Sequence, residues 1–286
     1  MPHQDQLITR RGSLALLGSG GLPLAGAGRS TSAFAYTTVG DDYVANAARA
    51  CTLTAEQEEG PYYIAVDDVR EDIVLGQPGV PFHIELTVIN SLTCKPLKNA
   101  AVDLWHCNAS GIYSDESSES TLGQTYLRGV QFTDKHGQVT FRSIFPGHYA
   151  GRTTHLHARI HINSREANHK LTAGHICHTG QVFPTEAAYT EIYKLAPYNA
   201  ETATIVTHAE DRVWTEQHGS TEQMTMSMIG SRLSMGFIGK VTMAVNPNAT
   251  PTLIGATSGG TNGGTGTNGG TGTPPGTGGT GTPPAS

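Results

Sequence analysis

The stretch GHYAGRTTHLHARIH, Gly147 to His161, concentrates tyrosine, arginine and histidine in a segment that otherwise reads as a strand. Side chains on a strand alternate faces, so His155, His157, Arg159 and His161 share one face while Leu156, Ala158, Ile160 and Ile162 share the other. One face is apolar and the other can coordinate. A His-x-His pair on a strand stands two imidazoles at a separation that one metal ion bridges. From this pattern alone a metal site and a solvated polar face are both open, with zinc, copper and iron all eligible. His161 reads as a surface histidine.

Such a strand needs a sheet. Short segments with alternating or β-branched apolar residues recur through the chain: PFHIELTVIN (81–90), AAVDLWHCN (100–108), GVQFTD (129–134), GQVTFRSI (137–144), THLHARIHI (154–162) and FIGKVTMAV (237–245). Turn signals separate them, at Asp134 to Gly137 and at Pro146-Gly147. The pattern predicts an all-β chain, an antiparallel β-sandwich with few short helices. Helical signal is confined to TAEQEE (54–59), where Thr54 with Gln57 or Glu58 resembles an N-cap, and to EAAYTEIYKL (186–195).

The ends differ from this middle. Arg10-Arg11, the apolar and glycine-rich run behind them and the small-x-small pair Ala33 and Ala35 have the layout of a twin-arginine export signal, expected at residues 1–35. The run is too short for the ~20 apolar residues of a membrane span. From Pro247 to Ser286 glycine, threonine and proline dominate, and a flexible tail or linker is expected, with no further module after it. Residues 36–246 are one domain's worth of sequence. The 286-residue chain carries a net charge of −6, and losing the signal removes three arginines and one aspartate, giving −8. That sign argues against nucleic acid or an anionic membrane as partner. Cys51, Cys94, Cys107 and Cys177 could form up to two disulfides after export, in any of three pairings.

Four segments taken together, EEGPYY (58–63), PLKNAAVDLWHCNASGIYS (96–114), LRGVQFTDKHGQVTFRSIFPGHYAGRTTHLH (127–157) and HTGQVF (178–183), are similar to the intradiol ring-cleavage dioxygenases, above all the compact exported members. The resemblance spans residues 54–245. It implies one mononuclear non-haem Fe(III) ion held by two tyrosinates and two histidines. On this chain these are Tyr113 in WHCNASGIY, Tyr149 in PGHY, and His155 and His157 in THLH. The donor chemistry agrees: a phenol with pKa ~10 ligates well only to an ion strong enough to displace its proton, and hard trivalent iron is such an ion, whereas zinc sites use Cys, His and carboxylates.

The same resemblance implies the reaction. A small aromatic diol and O2 are the expected substrates, both oxygen atoms entering the ring with intradiol cleavage to a cis,cis-muconate-type diacid. Tyr149 is the expected proton acceptor. Arg152, three residues before His155, is expected to stabilise negative charge developing on the ring, and Gln181 in TGQVF stands where the family has a glutamine near the iron. Catechol and its hydroxylated and carboxylated forms are all open as substrates, as are monomer and homodimer. The loop from Ala150 to Thr154 is shorter than in larger members, which alters the pocket wall. The stretch between His157 and Gln181 is longer, and its His169, His175 and His178 read as a solvated loop rather than a metal-binding feature. Trp105 and Cys107 face away from His106 and read as packing or disulfide residues. Two other classes compete: a secreted β-sandwich binding module with a degenerate metal site, and a zinc or copper metalloenzyme.

Overall fold

The computed structural model describes residues 51–172, 174–252 and 254. The expected export signal and nearly all of the tail lie outside these residues. Eleven strands are found among them, and most form two sheets packed face to face. The first sheet contains β1 (Pro81–Asn90), β2 (Lys95–Pro96), β5 (Gln138–Ile144), β10 (Thr225–Met228) and β11 (Phe237–Val245). The second has the order β4 (Arg128–Phe132), β3 (Ala101–Trp105), β6 (Leu156–Ile162), β9 (His175–Val182). A hairpin of β7 (Arg165–Ala167) and β8 (Lys170–Thr172) stands apart. The helices are short: α1 (Glu186–Ile192), α2 (Arg212–Glu216) and single 3₁₀ turns.

The core lies between the sheets. Phe82, Ile84, Leu86 and Val88 of β1 and Phe141 of β5 meet Val102 and Leu104 of β3 and Leu156, Ala158 and Ile160 of β6. Period 2 sends these residues inward and leaves Glu85, Thr87, Gln138 and Thr140 on the outer face of the first sheet.

The expected antiparallel sandwich has one exception. β1 and β11 run parallel, in register from Phe82↔Phe237 to Asn90↔Val245. A parallel pair needs a long connection, and the whole second sheet lies in the chain between these two strands. Of the expected helices, 186–195 forms as α1, but 54–59 is irregular. Thr54 caps nothing there. Its backbone N–H donates to the Ala244 carbonyl and its hydroxyl accepts from the Ala244 N–H, each at 2.8 Å, pinning the segment to β11.

The histidine-rich stretch after β6 is also ordered. His169 is exposed at the β7–β8 turn, but His178 is completely buried on β9. His161 is buried too, because Leu171 of β8 and Val69 pack against Ala101, its cross-strand partner on β3. Cys51 and Cys94 form a disulfide, while Cys107 and Cys177 are free and buried, so Cys107 serves packing alone. No helix among the described residues is long and apolar enough to cross a membrane.

Candidate metal centre and active site

Tyr113 and Tyr149 are brought together by two loops that touch backbone to backbone. Asn108, just after β3, organises the first. Its side-chain oxygen accepts from the N–H groups of Ser110 and Ile112, both at 3.0 Å. Its carbonyl accepts from Gly111 and from Gly147 of the second loop, again at 3.0 Å. Gly111 has φ +74°, and a Cβ there would lie 2.2 Å from the carbonyl oxygen of His148. The asparagine and glycine of the WHCNASGIY pattern therefore act on the backbone. The result is a Tyr113–Tyr149 ring separation of 5.9 Å.

His157 lies on β6 and His155 immediately before it. Their rings are 4.9 Å apart, and His157 is 6.1 Å from Tyr113. His155 Nδ1 lies 2.7 Å from the Thr153 carbonyl, which can only accept, so Nδ1 carries the proton and Nε2 is the free donor atom. Nε2 lies 3.0 Å from the Tyr149 hydroxyl. His157 stacks flat on Trp105 of β3, its cross-strand neighbour, at 4.9 Å and 5°. Both nitrogens of His157 and the Tyr113 hydroxyl are buried without a hydrogen-bond partner.

Burial works on each of these groups. It pushes the Tyr113 hydroxyl well above its usual pKa, a rise to which Tyr149 adds, and it raises Tyr149. It lowers both histidines well below theirs, with the charge of Arg152 adding to the effect at His155. Neutral imidazoles are ready to ligate. Buried phenols yield their protons only to a strong Lewis acid, so the two tyrosines fit a trivalent ion; two tyrosinates would leave it a net charge of +1. Among the described residues no group of three or more His, Cys, Asp or Glu is placed to hold a metal.

Arg152 and Gln181 are held against this centre. Gln181 is the cross-strand neighbour of His157 on β9. Its side-chain oxygen accepts from Arg152 Nη2, and its amide donates to the Glu58 carbonyl at 2.9 Å. Arg152 Nε donates to Asp211 Oδ2 at 2.8 Å, and Nη1 lies 3.7 Å from Glu58. Burial opposes the arginine's charge, but Tyr149 and Asp211 outweigh it and its pKa rises. The structure brings all six residues expected from the sequence into one neighbourhood. Sequence reasoning missed Asp211, which is completely buried, accepts from the Thr153 N–H at 2.8 Å and caps α2 through the Trp214 N–H at 2.9 Å. Aspartate three residues before Trp214 at a helix start was a readable capping signal.

The stretch 56–63 roofs the site. Tyr62 stacks on Tyr113 at 4.4 Å and meets Tyr149 edge-on at 6.1 Å. Tyr63 packs on Trp105 and lies under the Arg159 guanidinium, 3.8 Å from its ring centre, while Glu59 pairs with Arg159. Gly60, at φ +72°, lets this roof close down: a Cβ there would come within 3.2 Å of His157 Cε1. Behind it, His178 Nδ1 sits 3.0 Å from Glu56, and its Nε2 sits 3.6 Å from buried Glu222, which accepts from Gln57 Nε2. The Gln57 carbonyl oxygen of the side chain accepts from the Gln181 N–H at 2.7 Å. The roof is thus tied through β9 to the residues that hold Arg152.

Between the tyrosines and solvent lies a cavity of about 130 Å³, lined by Tyr62, Gly111, Ile112, Tyr113, Glu116, Ser118, Glu119 and Tyr149. Larger grooves lie elsewhere, one of about 490 Å³ beside Asn163 and one of about 650 Å³ beside Thr242, away from all these residues.

The profile of the family described as Dioxygenase matches residues 58–181. The chain is similar to catechol 1,2-dioxygenase of Acinetobacter baylyi, 32% identical over 96 residues, covering 32% of this chain and 30% of that protein. Catechol 1,2-dioxygenase of Candida albicans is 26% identical over 174 residues, covering 52% and 53%. These matches span between about a third and half of the curated relatives' length. Among solved structures, the intradiol ring-cleavage dioxygenase from Tetranychus urticae superposes with a TM-score of 0.62 at 34% identity, covering 71% of this chain and 98% of that one. Identity at this level across nearly the whole of a solved structure means common descent, and the chain belongs to the intradiol ring-cleavage dioxygenase family.

Proposed function

We propose that the chain is a mononuclear non-haem Fe(III) dioxygenase that inserts both atoms of O2 into a catechol-type ring, with intradiol cleavage to a cis,cis-muconate-type diacid. The observation that carries this reading is the convergence of Tyr113, Tyr149, His155 and His157, with both tyrosines lining one small cavity and the Tyr113 hydroxyl and both His157 nitrogens lacking a hydrogen-bond partner. When bound, the ferric ion supplies Lewis acidity and a template for the diol.

The chain's own residues do the rest. Trp105 and the Thr153 carbonyl fix the two imidazoles. Tyr149, half-buried at the cavity wall, is the group that takes a proton from the entering diol. Arg152 cannot lose its charge and is locked by Asp211 and Glu58, so it stabilises negative charge as it develops on the ring. Tyr62, stacked on Tyr113, gives the cavity a flat wall that suits a planar ring. Export by the twin-arginine route is part of the proposal, and the Cys51–Cys94 disulfide supports it, since such bonds persist in oxidising compartments.

The test is the visible spectrum of the purified, iron-loaded protein before and after catechol is added without oxygen. A red-brown tyrosinate-to-iron band that broadens to longer wavelength on adding catechol is expected. A protein that stays colourless after ferric loading would sink the proposal and leave the binding-module reading in its place.

A further inference from the structure

Tyr113 is 2% exposed and lines the cavity's inner end, whereas Glu119 is exposed and Glu116 half-buried at its outer end. No lysine, arginine or histidine is among the lining residues. Two arginines lie nearby, outside the lining, and the charge of Arg128 acts on Glu116. Arg128, 5.9 Å from the Tyr113 ring centre, is buried and donates to the Ser114 hydroxyl and carbonyl at 2.7 and 2.9 Å; Arg152 is paired with Asp211 and Glu58. Glu116 is held in place by Thr121, whose hydroxyl accepts from the Glu116 N–H at 2.8 Å and donates to the Tyr113 carbonyl at 2.8 Å. The acidic rim is therefore coupled to the tyrosine at the bottom of the cavity by a single side chain. Both glutamates act electrostatically on Tyr62, the flat wall between the two ends.

A diol that enters towards the tyrosines directs the opposite edge of its ring to the mouth. A carboxylate on that edge meets two like charges and no cation in the cavity wall, Arg128 offsetting only part of the Glu116 charge from outside the lining; a neutral group meets no such repulsion, and an ammonium meets two opposite charges. Resting on the dioxygenase reading, we infer that Glu116 and Glu119 form a charge filter that admits neutral and cationic catechols and rejects carboxylated ones. A cavity of about 130 Å³ sets the second limit, one ring with a small substituent.

The experiment compares 4-methylcatechol, 3,4-dihydroxybenzoate and 4-(2-aminoethyl)catechol, with kcat/KM in air and Kd under argon measured on the iron-loaded full chain. The anion is expected to fall below the methyl compound by about tenfold in both constants at low salt, mostly through KM, and the amine to equal or exceed it. Raising salt from about 0.02 to 0.5 M should narrow the gap, because the rim is partly exposed. The E116Q/E119Q double variant should raise the anion-to-methyl ratio at least about threefold, and E119Q, on an exposed side chain, should give part of that rise. Cleavage of the anion as fast as the methyl compound, or a ratio unmoved by both variants, overturns the filter while the dioxygenase reading stands. Binding that follows the expected charge order without cleavage of any ring keeps the filter and overturns the activity. Equal binding of all three, or of none, overturns the filter.

Discussion

The two sheets solve different problems with similar strands. In the first, β1 alternates buried and accessible residues along its length, one face on the core and one towards solvent. In the second, every residue of β3 and all but the last of β6 are buried, so both faces are covered. The inner face is apolar in both. The outer face of the second sheet carries His157, Arg159, His161, Asp103, Thr179 and Gln181, all buried beneath the roof of residues 56–63 and the segments that follow. Burying polar groups is costly unless each is paired or has a ligand to meet. The contrast marks where work is done: the open sheet supplies stability, and the covered one spends part of it on chemistry.

Substitutions can test this division. The largest effect is expected from Tyr113→Phe, which keeps the ring stacked on Tyr62 but removes the unpartnered hydroxyl. A weakened and shifted tyrosinate band, with Tyr149 still contributing, and a roughly thousandfold fall in kcat/KM are expected, with Tm within a few degrees of the parent. A rate within tenfold of the parent would mean that the covered face does not hold the ion as described. Next is His178→Gln, which leaves Glu222 buried opposite a neutral side chain. Near pH 6 Glu222, raised to about 7, is largely protonated, so the loss expected by denaturant titration is that of the charge-assisted hydrogen bond to Glu56, about 1.5–3 kcal/mol.

That loss carries a pH signature. Burial lowers the pKa of His178, but the Glu222 carboxylate 3.6 Å away and the hydrogen bond to Glu56 outweigh it and set it at about 9, against an ordinary 6.5. Burial raises Glu222 to about 7, against 4.5, in spite of His178. Both groups hold protons in the folded chain that the unfolded chain releases. Their stabilisation is complete at low pH and fades as pH climbs from about 5 to about 9. The gap in Tm between parent and variant should therefore narrow from pH 6 to pH 9; a gap that widens would break the assignment.

Arg152→Lys keeps the charge but loses the fork shared among Asp211, Gln181 and Glu58, and roughly a hundredfold in kcat is expected, with iron content unchanged. At the other extreme, Thr140→Val lies on the exposed face of β5 and should shift stability by no more than about 0.5 kcal/mol, without any change in kcat. A measurable kinetic effect there would erase the distinction between the sheets.

How much of this the sequence disclosed follows the same division. β1 and β11 form over the residues that alternation marks, 81–90 and 237–245, because a half-solvated strand writes its period directly into residue type. The His-x-His face was legible although β6 is covered on both sides, because its inward residues are apolar and its outward ones polar. β9 was not: HICHTGQV carries polar residues on both faces and is buried from Cys177 onward, so His178 resembles a loop histidine until its neighbours Glu56 and Glu222 are known. The capping pattern at Thr54 misled because Glu56, Gln57 and Glu58 bond to β9 and its neighbours instead of to a helix. Polar residues committed to distant partners leave no local period to read.

The parallel pairing of β1 with β11 also governs how the chain can be made. β1 lies in the middle of its sheet, and the strand that completes it is the last to be synthesised. Until Phe237–Val245 is available, β1 has an unsatisfied edge and an open hydrophobic flank that local contacts cannot close. Folding of the first sheet is consequently a late, long-range event. Shortening the chain past Val245 removes the central pairing itself, so truncations ending before Phe237 should yield aggregate rather than a smaller folded protein.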